Sequence, residues 1–190
     1  PCPVVLTVHD LHALTHTRFC GAGNRLHYGL LLPPSVRRAA AIIAVSDYTK
    51  RRIAERFPEA EGRVTVIRPG VSDEFAPCRD PAALEAARRR YALPPEFLLF
   101  VGDLAPRKNV PCLLAALVRL ARRKPGLHLV LAGSASRAGA AEIDRAAHAL
   151  GVASRVARTG YVAPADLPAL YSLARVLVFP SHDEGFGLPP

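Results

Sequence analysis

Short apolar runs alternate with longer amphipathic stretches along the second half of the chain. The short runs predict strands, and the longer stretches, with apolar residues three or four positions apart, predict helices. Such alternation is typical of right-handed crossovers between parallel strands, and therefore of a doubly wound α/β domain. Strands are predicted at 97–102, 127–133, 155–162 and 175–181, and helices at 81–93, 109–123, 139–150 and 164–174.

The first part of the chain repeats this pattern less regularly. Segment 46–57 predicts a helix that Ser46 caps, with an apolar stripe formed by Tyr48, Ile53 and Phe57. This part is therefore also predicted to be a doubly wound α/β fold. Its strands are predicted at 3–10, 41–46 and 63–67, with a helical stretch containing Pro33 and Pro34 between the first two.

A segment rich in proline and polar residues, "RPGVSDEFAPCRDP" (68–81), separates the two parts. This composition is typical of a linker or hinge. We therefore predict two Rossmann-like domains, one at 1–72 and the other at 73–190.

The two ends of the chain predict an internal fragment. The sequence contains no methionine, opens directly into a predicted strand and stops in the loop "EGFGLPP". Both predicted sheets would then be incomplete, so the 190 residues alone are expected to be inactive and prone to aggregate.

The formal net charge of +9 comes almost entirely from arginine. A basic balance can indicate nucleic acid, an anionic membrane or an acidic small ligand. The arginines lie on predicted polar helix faces and lack the aromatic residues that accompany RNA-binding signatures, which argues against nucleic acid as a partner. We interpret most of them as solvated.

The four cysteines are scattered without a C-x-x-C pair, which argues against a zinc site and a disulfide framework. This usage fits a reducing cytoplasm, and the thiols are expected to be small buried apolar side chains. The longest apolar runs fall short of the roughly 20 residues of a membrane-spanning helix. We therefore expect a cytoplasmic protein, with a peripheral contact to the inner face of the membrane left open.

Glycines mark the ends of the predicted strands in the second half. In open parallel sheets, ligands bind beyond the carboxyl ends of the strands, and glycine there permits close backbone approach or a positive φ. The sheet edge is therefore a candidate nucleotide site. The glycines in these exits are Gly102, Gly133, Gly160, Gly185 and Gly187.

Arg107 and Lys108 stand where the strand ending at Gly102 meets the next predicted helix. A helix N-terminus attracts anions, so two cations placed there are unfavourable unless an anion binds. The pair therefore predicts a diphosphate clamp, the alternative being a solvated pair. No P-loop and no G-x-G-x-x-G fingerprint occurs, so the phosphate site is of another kind.

Seven motifs in order carry a family resemblance. They are "VHDLH", "AIIAVSDYTKRRI", "VIRPGV…F", "LFVGDLAPRKN", "LVLAG", "TGYV…DLPALYSLA" and "VFPSHDEGFGLPP". Over essentially its whole length, the chain resembles glycosyltransferase family 4. The resemblance implies a retaining enzyme of GT-B fold, with an acceptor-side domain at 1–72 and a nucleotide-sugar donor domain from 73 onward.

The resemblance also implies roles for individual residues on the donor side. Arg107 and Lys108 would neutralise the donor diphosphate in place of a metal ion, so that no metal or other cofactor is expected. Tyr161 and Val162 would flank the base. Glu184 would contact the transferred sugar as the first glutamate of a paired-glutamate motif.

Further implied roles belong to the last loop and to the acceptor side. The backbone N–H groups around Gly185, Phe186 and Gly187 would hold sugar hydroxyls or phosphate, and His9 matches the family's cleft histidine. Taken from the residues alone, His9 with His12 and His16 is also a weak candidate for a metal cluster, although the spacing fits no common zinc pattern. His12 and His16 are otherwise expected to be loop residues.

The sequence departs from the family at Asp103, where many members carry arginine. The phosphate charge would then rest more heavily on Arg107 and Lys108. The form "PRKN" is similar to that in members acting on O-antigen and related polysaccharides, often mannosyltransferases.

The implied activity is transfer of a hexose, mannose being one candidate, from a donor such as GDP-mannose or a UDP-sugar to a glycan or lipid-linked acceptor. The alternatives are a sugar-phosphate synthase with a small soluble acceptor and a non-catalytic nucleotide- or nucleic-acid-binding module.

Overall fold

The computed structural model of the chain describes residues 2–189, which form two compact units. The first unit comprises residues 2–70 and 183–188, and the second comprises residues 71–182 together with Pro189. The helices are α1 (His12–Thr15), α2 (Ala22–Arg38), α3 (Asp47–Arg56), α4 (Pro81–Arg90), α5 (Val110–Ala121), α6 (Arg137–Ala149) and α7 (Leu167–Leu173). The strands are β1 (Val5–Val8), β2 (Ala41–Ala44), β3 (Val64–Val66), β4 (Glu96–Val101), β5 (Leu127–Ala132), β6 (Val156–Gly160) and β7 (Val176–Leu177).

The division of the chain differs in two respects from the predicted domains at 1–72 and 73–190. Residues 71 and 72 belong to the second unit, and residues 183–188 pack with the first unit. The assignment of an acceptor side and a donor side to these units stays a prediction.

The first unit is built on a parallel three-stranded sheet in the order β1-β2-β3. Val5 and Val8 of β1 lie opposite Ala41 and Ala44 of β2, and Ile42 pairs with Val64 of β3. Parallel neighbours need crossover connections, which α2 and α3 supply. The predicted parallel α/β organisation is therefore confirmed for this unit.

Helix α3 buries a different stripe from the predicted one. Its buried side chains are Thr49 and Ile53, followed by Phe57 just past its last residue, so they recur every four positions. Tyr48 was expected in this stripe but is 37% exposed. Position 48 is one residue too early for the helical period of 53 and 57, so its ring lies beside the core face.

The second unit is a parallel four-stranded sheet in the order β6-β5-β4-β7. Alternate residues of its central strands enter different apolar clusters: Phe100 and Leu129 pack with α5 and α6, whereas Leu99 and Val130 pack with α4 and α7. Side chains alternate across a strand, so helices cover both faces of the sheet. The predicted doubly wound architecture is confirmed for this unit.

Two of the differences from the predicted bounds in the second unit have a clear physical cause. Helix α6 begins at Arg137, two residues early, because the Ser136 hydroxyl caps it by accepting the Gly139 N–H at 3.1 Å. Strand β7 is only two residues long rather than seven. Its ladder to β4 ends in a hydrogen bond from the Val178 N–H to the Leu99 carbonyl, and Pro180 has no N–H with which to extend it.

The four cysteines are free, as the sequence predicts. The prediction that they are buried is wrong, because Cys2 and Cys112 are exposed and Cys20 and Cys78 are half-buried. Cys112 lies on the outer face of the first turn of α5, while the buried face of this helix is formed by leucine and valine. No helix within residues 2–189 combines the length and the apolar character needed to cross a membrane.

Candidate functional site

Three glycines lie at the carboxyl ends of adjacent strands in the second unit, where hydrogen bonds and close backbone packing hold these strand ends together. The Gly102 N–H donates to the Ala132 carbonyl and the Gly133 N–H to the Gly160 carbonyl, both at 2.9 Å. A Cβ at position 133 would lie 1.8 Å from the Gly102 carbonyl oxygen, so only glycine fits there. The backbones of neighbouring strand exits therefore pack against each other without intervening side chains.

The loop after β4 is tied to this edge at both of its ends. The buried Leu104 donates its N–H to the Ser134 carbonyl at 2.8 Å, and residues Pro106–Lys108 form one 3₁₀ turn. Asn109 then adopts a left-handed conformation with φ of 57°, and α5 begins at the next residue. This turn sets Arg107 and Lys108 immediately before the helix N-terminus, as the sequence predicts.

The side chains of Arg107 and Lys108 both approach the carboxylate of Asp103. The Asp103 Oδ1 lies 3.5 Å from Arg107 Nη2 and 3.8 Å from Lys108 Nζ. Lys108 is only 5% exposed, and its ammonium lies 4.9 Å from the centre of the Phe179 ring, within the range of a cation–π interaction. Phe179 in turn stacks on the buried Phe100. The apolar surroundings therefore fix the Lys108 side chain, with its ammonium group next to the Asp103 carboxylate.

Sequence reasoning treated Asp103 as a departure from the family and missed its contacts. The Asp103 carboxylate offsets part of the positive charge of the two cations. The spacing i, i+4 between Asp103 and Arg107 is a signal that was available in the sequence, although it is usually associated with helices rather than loops.

The loop is also held from the segment that follows β7. The His182 N–H donates to the Arg107 carbonyl at 2.9 Å, and the Asn109 side-chain amide donates to the Pro180 carbonyl at 3.3 Å. These two bonds stabilise the backbone on either side of Lys108. The structure thus brings together Gly102, Gly133, Arg107 and Lys108.

The two residues predicted to flank a base differ in their environments. Tyr161 is 73% exposed, whereas Val162 is buried in the apolar cluster that contains Ala169 and Leu170. A ligand could therefore reach the Tyr161 ring, but only the backbone of Val162. Their roles stay predictions.

In the first unit, the other predicted residues meet where β1 ends. We call residues 183–187 the Glu184 loop. A Cβ at Gly185 would lie 1.7 Å from the His9 carbonyl oxygen, so the loop backbone rests directly on the peptide that follows β1. His9 is exposed, and so is Phe186. The structure thus brings His9 next to the residue that follows Glu184.

Side chains from α3, from its cap residue Ser46 and from His16 just after α1 hold this loop, and sequence reasoning missed them. The Gly185 carbonyl accepts hydrogen bonds from the hydroxyls of Ser46 and Thr49. The nearly buried Asp183 carboxylate lies 3.0 Å from His16 Nδ1. Burial raises the pKa of the Tyr48 hydroxyl, and its hydrogen bond to the Asp183 carboxylate raises that pKa further.

The histidines of the first unit do not share one site. His12 contacts the Asp10 carboxylate through Nδ1, and His16 pairs with Asp183 instead. His12 is the first residue of α1 and not a loop residue as expected, whereas His16 lies in the connection that follows this helix. Within residues 2–189, no group of three or more His, Cys, Asp or Glu side chains is arranged to hold a metal ion.

Comparison with solved structures defines the class of fold. The structure of Anabaena HepE in complex with UDP and glucose matches with a TM-score of 0.77 and 23% sequence identity, over 97% of this chain and 48% of that one. At this identity the likeness concerns the fold alone. It confirms the predicted α/β fold of GT-B type.

The family follows from the sequence. Residues 84–190 match the family model described as glycosyl transferases group 1, and residues 1–75 match the model of glycosyltransferase family 4. The chain belongs to the group 1 glycosyltransferases, as the motifs predict.

Among curated relatives, the serotype-specific mannosyltransferase WbdA of Escherichia coli is 34% identical over 197 residues, covering 100% of this chain. A GDP-mannose-dependent alpha-(1-6)-phosphatidylinositol monomannoside mannosyltransferase of Mycobacterium tuberculosis is 37% identical over 146 residues, covering 76% of this chain. The chain spans 24% of the length of the first relative and 37% of the second.

Proposed function

We propose that the chain carries the nucleotide-sugar site of a retaining glycosyltransferase. The enzyme transfers a hexose, with mannose as the first candidate, from a nucleoside diphosphate sugar to a glycan or lipid-linked acceptor. Family membership supports the reaction class. The names of the two mannosyltransferase relatives support the choice of sugar.

The observation that carries the proposal is the Arg107–Lys108 pair at the N-terminus of α5. Sugar transfer requires stabilisation of the negative charge that develops on the departing diphosphate. A helix N-terminus and two fixed cations supply this stabilisation, Arg107 through a planar fork and Lys108 as a compact charge. The glycine-packed strand exits beside the pair anchor the loop that carries both cations.

The sugar is proposed to lie against the Glu184 loop. Glu184 would contact the transferred sugar, and the backbone N–H groups from Gly185 to Gly187 would bind its hydroxyls or a phosphate. His9 would act from the acceptor side, and its backbone contact with Gly185 supports this grouping. Tyr161 would stack on the base.

The donor is proposed to be GDP-mannose or a UDP-sugar, and the reaction to proceed without metal. One relative is named as GDP-mannose-dependent, and the HepE structure contains UDP, so both bases are candidates. Two cations at the diphosphate would take the place of a metal ion in neutralising charge.

Nucleotide binding tests the proposal. GDP, UDP and ADP are titrated against the wild-type chain and against Arg107→Ala and Lys108→Met, the second of which keeps an apolar stem against Phe179. Charge-assisted hydrogen bonds contribute roughly 1.5–3 kcal/mol each, so each variant should bind about ten- to a hundredfold more weakly. One base should bind in preference to the others.

Arg123→Ala and Lys124→Ala are matched controls, since they remove an adjacent arginine and lysine just beyond the other end of α5. These controls should bind like the wild type, and EDTA should leave the affinity unchanged. Unaltered binding by both site variants, or affinity that depends on added metal, would refute the proposed clamp.

A further inference from the structure

The Glu184 loop is fixed to the first unit on both sides of Glu184. Asp183 is held through its side chain and Gly185 through its carbonyl, so the two neighbours of Glu184 have independent attachments. We infer that His16, Tyr48, Ser46 and Thr49 are positioning residues, which hold the Glu184 backbone in the place from which its carboxylate reaches the sugar. The functional part of this inference rests on the proposed function.

The attachment of Asp183 is a pair of polar contacts to one buried carboxylate. Its side chain is 6% exposed, with His16 Nδ1 at 3.0 Å, and Tyr48 lines the same small cavity as Asp183 and interacts with it through its hydroxyl. A carboxylate removed from water to this extent requires such donors, because an unpaired buried charge is costly. Both donors belong to the first unit, one just after α1 and one in the first turn of α3.

The attachment of Gly185 uses the N-terminal turn of α3. The Ser46 hydroxyl caps this helix by accepting the Thr49 N–H at 3.0 Å, and it donates its own proton to the Gly185 carbonyl. The Thr49 hydroxyl lies 3.1 Å from the same carbonyl, and Thr49 is only 1% exposed. One helix cap therefore serves two purposes, and the missing Cβ of Gly185 allows the close approach to His9.

This arrangement explains features that helix formation alone does not require. Tyr48 lies outside the apolar stripe of α3 yet points its hydroxyl at Asp183. Thr49 carries a hydroxyl into the buried stripe, where an aliphatic side chain would pack equally well. Both placements are accounted for if the function of this turn is to hold the Glu184 loop.

Amide hydrogen exchange of residues 184–188 tests the attachment directly. Tyr48→Phe removes one hydroxyl, and His16→Phe removes both ring nitrogens while keeping the stacking on Phe19. Loss of one hydrogen bond should speed exchange in the loop by about three- to tenfold, without change in β2. His16→Asn places an amide nitrogen near the position of Nδ1 and should restore slow exchange.

Tyr28→Phe and His27→Phe on α2 are matched controls and should leave the loop unchanged. Loop exchange at the wild-type rate in both Tyr48→Phe and His16→Phe would overturn the inference. Equal acceleration in the loop and in β2 would overturn it too, because the contacts would then stabilise the whole unit.

A second measurement tests positioning rather than stability. Thr49→Val keeps the shape of the side chain but not its hydroxyl, whereas Thr49→Ser keeps the hydroxyl. The quantity to compare is the gain in affinity, that is, how much more tightly the nucleotide sugar binds than the nucleotide. If the loop positions Glu184 on the sugar, this gain should be at least threefold smaller in Thr49→Val than in the wild type. Thr49→Ser should retain that gain, and both variants should bind the nucleotide itself like the wild type.

An unchanged gain in Thr49→Val would refute the positioning role. Failure of the proposed function has a different signature, since the wild-type chain would then bind no nucleotide. Hydrogen exchange would still decide in that case whether these side chains hold the loop.

Discussion

At the scale of single residues, Asp103 places a negative charge beside the two cations of the candidate site. Its carboxylate lies within 3.8 Å of both the Arg107 and the Lys108 side chains, at the place where the proposed function requires a diphosphate. The carboxylate preorganises the two cations and also repels an incoming anion. Because Asp103 is more than half exposed, solvent screens this repulsion and keeps it small.

Replacing Asp103 by asparagine should therefore tighten binding of the nucleoside diphosphate by about two- to fivefold, the range expected of a partly exposed charge pair. Calorimetric titration at two salt concentrations checks this, and the gain should shrink as salt increases. Asp144→Asn is the control, since Asp144 pairs with Arg158 elsewhere in the second unit. Weaker binding by Asp103→Asn would mean that preorganisation outweighs repulsion.

In the second unit, Gly133 is the glycine at which the backbone leaves least room. Gly133→Ala should destabilise the second unit at least twice as much as Gly151→Ala, because its Cβ would overlap the Gly102 carbonyl oxygen. Gly151 also has a positive φ, but open space surrounds it, so that variant measures backbone strain of roughly 1–2 kcal/mol alone. Urea denaturation followed by circular dichroism gives both values, and equal losses would contradict the steric argument.

At the scale of elements, a small polar cluster joins α4 to the start of α7. The Tyr91 hydroxyl donates to Asp166 Oδ2 at 2.6 Å, and Arg90 lies 2.7 Å from the same oxygen. The hydrogen bond from Tyr91 and the bond and charge of Arg90 lower the pKa of Asp166. The ionised carboxylate is thus the form that stabilises this contact.

A lowered pKa in the folded state means that the stabilisation is complete above the ordinary pKa of an aspartate, about 3.9, and is lost as the pH falls through the folded-state value. Asp166→Asn should therefore be less stable than the wild type at pH 6, and the gap in the free energy of unfolding should narrow toward pH 3. Denaturation of both proteins across this range is the measurement. A difference in the free energy of unfolding that is constant with pH would show that the charge on Asp166 does not contribute to stability.

Elements and strand exits were predictable from the sequence because they depend on local signals. The crossovers, the cap at Asp80 and the place of Arg107 and Lys108 before α5 all follow from periodicity, proline and glycine. The prediction of β7 overlooked a local signal, Pro180, whereas the role of Tyr48 did not follow because it depends on partners distant along the chain. The contacts of Asp183 with His16 and Tyr48 span more than 130 residues and leave no local pattern.

At the scale of the whole molecule, each apolar cluster draws its residues from one of the two units. Arg107, Lys108 and the strand-exit glycines Gly102, Gly133 and Gly160 all belong to the second unit. Residues 183–188 follow it in the chain but pack with the first unit.

We therefore expect residues 71–182, expressed alone, to bind the nucleoside diphosphate within about twofold of the whole chain. Their melting temperature should equal that of residues 71–190. Titration and thermal denaturation of the two fragments make the comparison. A much lower melting temperature for 71–182 would show that the last residues stabilise the second unit after all.

The interlocked strand exits also determine where the side chains around the proposed nucleotide site can be varied. Gly133 has no space for a side chain, and Leu104, Lys108 and Val162 have theirs enclosed by the core. Asp103 and Tyr161 flank this edge and are exposed. A mutational library intended to alter the accepted base or sugar should therefore randomise those two positions first and hold the glycines constant.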